Sequence, residues 1–273
     1  MLTRMEVQSN QGALLNLPLE DLVNGFLLDS VDGLDPVKAT ITSSSFAQLD
    51  GSQYQSSRRE ERNIIVTITL APDWGVDTVR DLRKRLYAYF MPKSWVQLKF
   101  YSTDMNPVQI QGRVESFETE MFAAEPVVTV SILCGDPDFI DPVPVVFAGN
   151  TTSTTTETLI DYDGSVESGF LFTLNVNRVL NNFTIYHRDP AGNLRQLDFA
   201  GTLANLDVLR ISTVAGDKYG RLTRGGTETS YLYGIDAAST WLELQPGENY
   251  IRVYATGANV PFTISYLRKY GGL

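Results

Sequence analysis

Eight residues, Asn63-Ile-Ile-Val-Thr-Ile-Thr-Leu70, constrain the fold of this 273-residue chain more than any others. Ile64, Val66, Ile68 and Leu70 fall on one face of an extended segment, and β-branched Ile65, Thr67 and Thr69 fill the other, the period-two pattern of a half-buried strand. A shorter strand, residues 37–41, leaves the turn Asp32-Gly-Leu-Asp-Pro36. Between the two lies a polar, Ser- and Gln-rich excursion, residues 42–62, whose apolar content is little more than Phe46, Leu49 and Tyr54. It reads as a long loop that cannot bury enough apolar surface to offset the entropy of ordering itself. The expectation is an arm that folds against a neighbouring copy of the chain, through Phe46, Leu49, Tyr54, Arg58, Arg59 and Arg62.

The length favours two domains, residues 1–145 and 146–273, and a hydrophobic content of 43% argues for packed cores. No apolar run approaches a membrane span, and Met1-Leu-Thr-Arg-Met-Glu-Val7 has no signal-peptide core, so neither membrane insertion nor export is expected. Cys134 and His187 stand alone in their residue types, which leaves zinc sites and Cys/His catalysis without ligands. Cys134, set in Val127-Val-Thr-Val-Ser-Ile-Leu-Cys134, reads as a small buried hydrophobe. The net charge is −10, and residues 1–145 hold twelve Lys and Arg against twenty Asp and Glu, so most of the acidic excess lies in the first half. That balance disfavours gripping a nucleic-acid backbone, whose affinity comes from basic groups displacing counterions.

The one convincing helix follows Leu70. Val76, Val79, Leu82, Leu86 and Phe90 recur at three- and four-residue spacings, with Asp77 as the expected N-cap and Pro92 as the stop. Its other face carries Arg80, Arg83, Lys84 and Arg85, which suit an acidic surface on the same or a neighbouring subunit; Glu115, Glu118, Glu120 and Glu125 supply one. Strands resume over residues 95–101, 108–117 and 127–134, giving an antiparallel β domain with one packed helix. Asp141-Pro-Val-Pro144 and the Thr-rich residues 150–158 mark a linker or crossover. The second half reads as short strands at near-regular spacing with turns such as Gln245-Pro-Gly-Glu-Asn249, the pattern of a β-sandwich.

Phosphate-loop, dinucleotide and nucleophile-elbow motifs are absent. Glu243 with Glu248, or Asp161 with Asp163, are the carboxylate pairs a glycosidase would need, and Asp161-Tyr-Asp163-Gly164 outlines a calcium loop without its middle ligand. Both are better read as ordinary turn acids. Tyr231, Tyr233, Trp241, Tyr250 and Tyr254 offer an aromatic platform for a sugar, or simply sandwich core, with Tyr231, Tyr233 and Trp241 as the leading candidates.

Taken in order, the motifs resemble the distal tail proteins of bacteriophages with long, non-contractile tails. The resemblance rests on Gly33-Leu-Asp-Pro-Val37, Arg62-Asn-Ile-Ile65, Tyr89-Phe-Met91 and Cys134-Gly-Asp-Pro-Asp138 in the first half. In the second it rests on Tyr162-Asp-Gly-Ser-Val-Glu-Ser-Gly-Phe170, Ile211-Ser-Thr-Val-Ala-Gly216, Ser239-Thr-Trp-Leu-Glu-Leu-Gln-Pro-Gly-Glu-Asn249 and Tyr266-Leu-Arg-Lys-Tyr-Gly-Gly272.

That resemblance implies a ring-forming first domain assembled as a hexamer and a galectin-like second domain. The ring would join the tail-tube protein to the tail hub protein at the virion's tail tip after assembly in the host cytoplasm. Tape-measure protein and DNA would pass through, with no cofactor and no catalysis. Carboxylates of the first domain, with Asp29, Asp32, Asp35, Glu115, Glu118 and Glu120 as candidates, are expected to line the bore and keep phosphates from adhering. The alternative reading is a free-standing carbohydrate-binding sandwich, with a glycosidase behind it.

Overall fold

The computed structural model describes residues 1–45, 50–73, 75–120, 126–257 and 259–273. The chain divides into two compact units, Met1–Pro142 with Tyr270–Leu273, and Val143–Lys269. The last four residues thus return to the first unit, although position along the chain had grouped them with the second. The Thr-rich segment read as a linker lies inside the second unit.

The first unit is built from β1 (Leu2–Ser9), β2 (Leu14–Pro18), β3 (Phe26–Asp32), β4 (Ala39–Ser44), β5 (Gln53–Arg59), β6 (Arg62–Leu70), α1 (Val79–Phe90), β7 (Trp95–Ser102), β8 (Val108–Thr119), β9 (Val127–Cys134) and the short β10 (Phe139–Ile140). Its main antiparallel sheet runs β2-β1-β7-β8-β9-β6-β3. The alternation in residues 63–70 does what it predicts. Ile64, Val66, Ile68 and Leu70 are at most 1% exposed, on the same face as Val128, Val130 and Ile132 of the adjacent β9. The helix lays Leu82, Leu86 and Phe90 on that core, roughly 1.5 to 3 kcal/mol for each side chain removed from water.

The helix begins later than its apolar spacing suggests. Thr78, in extended conformation, is the N-cap: its hydroxyl accepts from Asp81 N–H while the Asp81 carboxylate accepts from Thr78 N–H. Val76 lies outside the helix and is 80% exposed, and the Asp77 carboxylate is taken up by Arg85 at 2.6 Å.

The second unit comprises β11 (Val145–Asn150), β12 (Thr158–Tyr162), β13 (Ser168–Asn175), β14 (Leu180–Arg188), β15 (Leu194–Leu203), β16 (Val208–Ser212), β17 (Tyr219–Arg224), β18 (Thr227–Ser230), β19 (Glu243–Leu244), β20 (Gly247–Tyr254) and β21 (Pro261–Tyr266). One sheet runs β11-β21-β13-β16-β17-β18, with β19 added to β13, and the other runs β12-β20-β14-β15. Their inner faces meet in an aromatic core, where Phe172 of the first sheet lies 5.8 Å from Phe183 of the second. This is the sandwich that the regular strand spacing predicts.

His187 sits in that core with no exposed surface. Asn249 Oδ1 already accepts from Gln245 N–H, so the ring bonded to it at 2.9 Å donates through Nε2 and leaves Nδ1 buried without a partner. Burial lowers the imidazole pKa below its ordinary value, against the Asn249 contact, which raises it. His187 is therefore a neutral core residue.

Candidate functional site

Residues 42–62 are not the loop their composition suggests. β4 and β5 pair in an antiparallel ribbon from Ala39↔Arg59 to Ser44↔Gln53, with a bulge at Thr42/Ser43. Thr, Ser and Gln alternate along it without an apolar face, so hydrophobic periodicity has nothing to register. Among the described residues neither strand joins another sheet. All of β4 except Ser44, and all of β5, are exposed, with Ile41 66% and Tyr54 62% accessible. Phe46 and Leu49, expected at the arm's tip, lie outside the described residues.

The arm's arginines separate by position. Arg58 is exposed, whereas Arg59 forks onto the buried carboxylate of Asp138. Arg62, expected among the arm's contact residues, is 1% exposed and belongs to the core of its own unit. Its guanidinium donates to the carbonyls of Pro137 (2.7 Å), Asp35 (2.7 Å), Gly33 and Gly271 (2.6 Å), and packs over the Phe139 ring. Burial lowers its pKa, with nearby Asp138 and Asp35 among the opposing charges. Only glycine fits at Gly33, at φ +87°, because a Cβ there would lie 2.1 Å from the Asn63 carbonyl oxygen. The signal for this anchor was in the sequence: Arg62 is in phase with Ile64 and Val66, on the buried face.

Five of the six candidate acids, all but Asp35, converge on one surface. Ladder register carries Glu118 of β8 across Thr129 and Thr67 to Ser30 of β3, and Ser131 across Ile65 to Asp32. Glu115 and Asp29 sit in bulges and accept from Ser131 and Thr69 on that same outer face. Acidic β8 and β3 thus flank a field of hydroxyl side chains on β9 and β6, about 14 Å across at the usual strand spacing. Glu120 extends it past the end of β8, where its N–H donates to the Val127 carbonyl, whereas Asp35 lies in the turn after β3 with its carbonyl bound by Arg62. All six carboxylates are exposed, and among the described residues none forms an ion pair. Arg113, near the end of this face, is the cation on β8.

The helix packs on the opposite, core side of that sheet, so its basic face does not meet these acids within one chain. Arg83 donates to the Tyr87 hydroxyl at 2.8 Å and Arg85 pairs with Asp77, while Arg80 and Lys84 are exposed. Glu125 lies outside the described residues.

In the sandwich the expected aromatic platform is not flat. Tyr231 stacks between Phe199 and Tyr233, with the two tyrosine rings tilted by 42°, and Trp241 faces Lys218 instead. Tyr250 lies under Arg188, and Tyr254 lines a cleft whose polar residues sequence reasoning missed. This cleft, of about 360 Å³, opens on the outer face of the four-stranded sheet, lined by Asn182, Thr184, Asp198, Asp236 and Tyr254 among others. Its residues come together only through strand pairing, which the linear sequence does not display. Among the described residues no group of three or more His, Cys, Asp or Glu is placed to hold a metal ion.

No protein-family model matches the chain, and no curated protein matches it. Among solved structures, the Dit (gp 19.1) protein of phage SPP1 matches with a TM-score of 0.69 at 18% identity, covering 97% of this chain and 98% of that one. The fold is that of a phage distal tail protein. The SPP1 protein is described as a paradigm of the hub adsorption apparatus in phages infecting Gram-positive bacteria. Two phage P2 baseplate structures, in the activated conformation with Ca and with Sr, match at TM-scores of 0.46 and 0.44. Identities there are 10% and 11%, with 100% of both chains covered in the first case, and 97% of this chain and 98% of that one in the second. In this fold the ribbon, the acidic outer face and the sandwich cleft are exposed. No helix among the described residues is long and apolar enough to cross a membrane.

Proposed function

We propose that this chain is a structural component of a bacteriophage tail tip, whose first unit closes with identical copies into a hexameric ring. The observation that carries this reading is the β4–β5 ribbon. A two-stranded hairpin is marginal in water by itself, and this one exposes both faces and both edges. Each ribbon lies against the next copy, head to tail, so that closure leaves no edge free to recruit further chains. The ring joins the tail-tube protein to the tail hub protein in the virion and leaves a channel for the tape-measure protein and DNA. Assembly takes place in the host cytoplasm, and the role is non-enzymatic.

The acidic outer face lines the channel. Unpaired carboxylates among hydroxyls repel phosphates and hold no adhesive site for them. Exposed Arg80 and Lys84 of one copy face acids of another, which sets orientation more than affinity, since such pairs contribute roughly 0.2 to 1 kcal/mol each. The sandwich, galectin-like in character, serves contacts outside the ring.

Native mass spectrometry of the purified chain beside a variant with residues 41–57 replaced by a short Gly-Ser turn tests this. A sixfold mass for the first and a subunit mass for the second are expected. A ring that forms equally well without the ribbon overturns the reading.

A further inference from the structure

We infer that the cleft on the outer face of the β12-β20-β14-β15 sheet is a binding site for a neutral saccharide. Pairing sets Tyr254, Thr184 and Asp198 in one row across β20, β14 and β15. The loop after β18 adds Asp236, whose N–H donates to the Asp198 carbonyl at 3.0 Å. Asp198 is held in place before any ligand arrives: Oδ1 accepts from the Thr184 hydroxyl and Oδ2 from Gln196 Nε2, both at 2.7 Å, and its N–H donates to the Ser239 hydroxyl. One Asp236 oxygen accepts from Ala238 N–H, which leaves the other to accept from a ligand. Asn182, in the left-handed conformation at φ 54°, uses its carbonyl oxygen on Gly201 N–H and keeps its amide group to donate. The Tyr254 ring closes one side, and Phe183 and Phe199 back the floor.

The chemistry selects the ligand class. Fixed acceptors, an amide donor and an aromatic wall suit a molecule with hydroxyl groups around an apolar C–H face. Asp198 and Asp236 inside the cleft disfavour phosphates, sulfates and uronic acids there; the nearest cations stand at its rim, Arg252 at 6.0 Å from the Tyr254 ring and Arg178 donating to the Thr256 carbonyl at 2.6 Å. The remaining tyrosines of this sheet face are already covered: Arg252 lies 4.1 Å over Tyr186, and Arg188 lies 4.1 Å over Tyr250. The cleft, rather than the whole face, is the site. At about 360 Å³ it is near the lower end of ligand cavities, room for a terminal sugar ring and part of the next. This inference is independent of ring formation.

Saturation-transfer NMR on the full chain tests it, with glucose, galactose, rhamnose and N-acetylglucosamine as neutral probes and glucuronic acid and glycerol phosphate as anionic ones. Transfer to at least one neutral sugar at millimolar concentration is expected, with none to the anions. Asp198→Asn and Asp236→Ala should each weaken binding about tenfold or more with the thermal transition retained, and Tyr233→Ala should leave it unchanged. No transfer to any neutral probe, stronger transfer to an anion, or binding indifferent to both cleft substitutions would overturn the inference.

Discussion

Arg62 Nη2 donates to the Gly271 carbonyl at 2.6 Å, across 209 positions of sequence. The same guanidinium holds the turn at Gly33 and Asp35 and the loop at Pro137, so one side chain at the foot of the arm fastens three segments of the first unit.

Replacing it strips four carbonyl oxygens of a charged donor at a site closed to water. Arg62→Met should destabilise the first unit by about 3 to 5 kcal/mol, read as a lower urea midpoint. Arg62→Lys, a single ammonium without the planar fork, should recover less than half of that loss.

The helix depends on a reciprocal cap. Thr78→Ala should cost about 1 kcal/mol in urea unfolding and Thr78→Ser should be close to neutral, because serine supplies the same acceptor to Asp81 N–H.

Cys134 is enclosed by the first core, and burial pushes its thiol pKa up to about 11. It should be inert to a disulfide reagent in the folded chain at mildly alkaline pH and react at once in denaturant.

Acid should weaken the sandwich through His187. Burial holds its folded pKa below the ordinary 6.5, so near and below that pH the unfolded chain binds the proton more readily. Stability is full above the unfolded value and falls as pH drops from 6.5 toward the folded pKa. Asp189 opposes the shift and Arg195 reinforces it. His187→Leu should flatten the drop in melting temperature between about pH 7 and about pH 5 relative to the unaltered chain.

How far the sequence could be read follows from what each element uses to declare itself. Ile64, Val66, Ile68 and Leu70 announce a strand because alternation and burial coincide, and Leu82, Leu86 and Phe90 announce a helix in the same way. The ribbon is held by backbone ladders under Thr, Ser and Gln side chains, so no apolar period marks it. Arg62 looked like one more charge in an arginine-rich run, and only its phase with Ile64 betrays its burial. The acids could be named from charge density alone, but the face that five of them share follows from register and two bulges. The sandwich cleft, assembled from β14, β15, β20 and a loop, has no linear signature at all.

Single-particle imaging of the assembled chain tests the central claim most directly. The account predicts a closed six-membered ring in which the ribbon, residues 39–59, of each copy rests on the copy beside it. A chain that stays solitary, or a ring whose ribbons touch no neighbour, would contradict it.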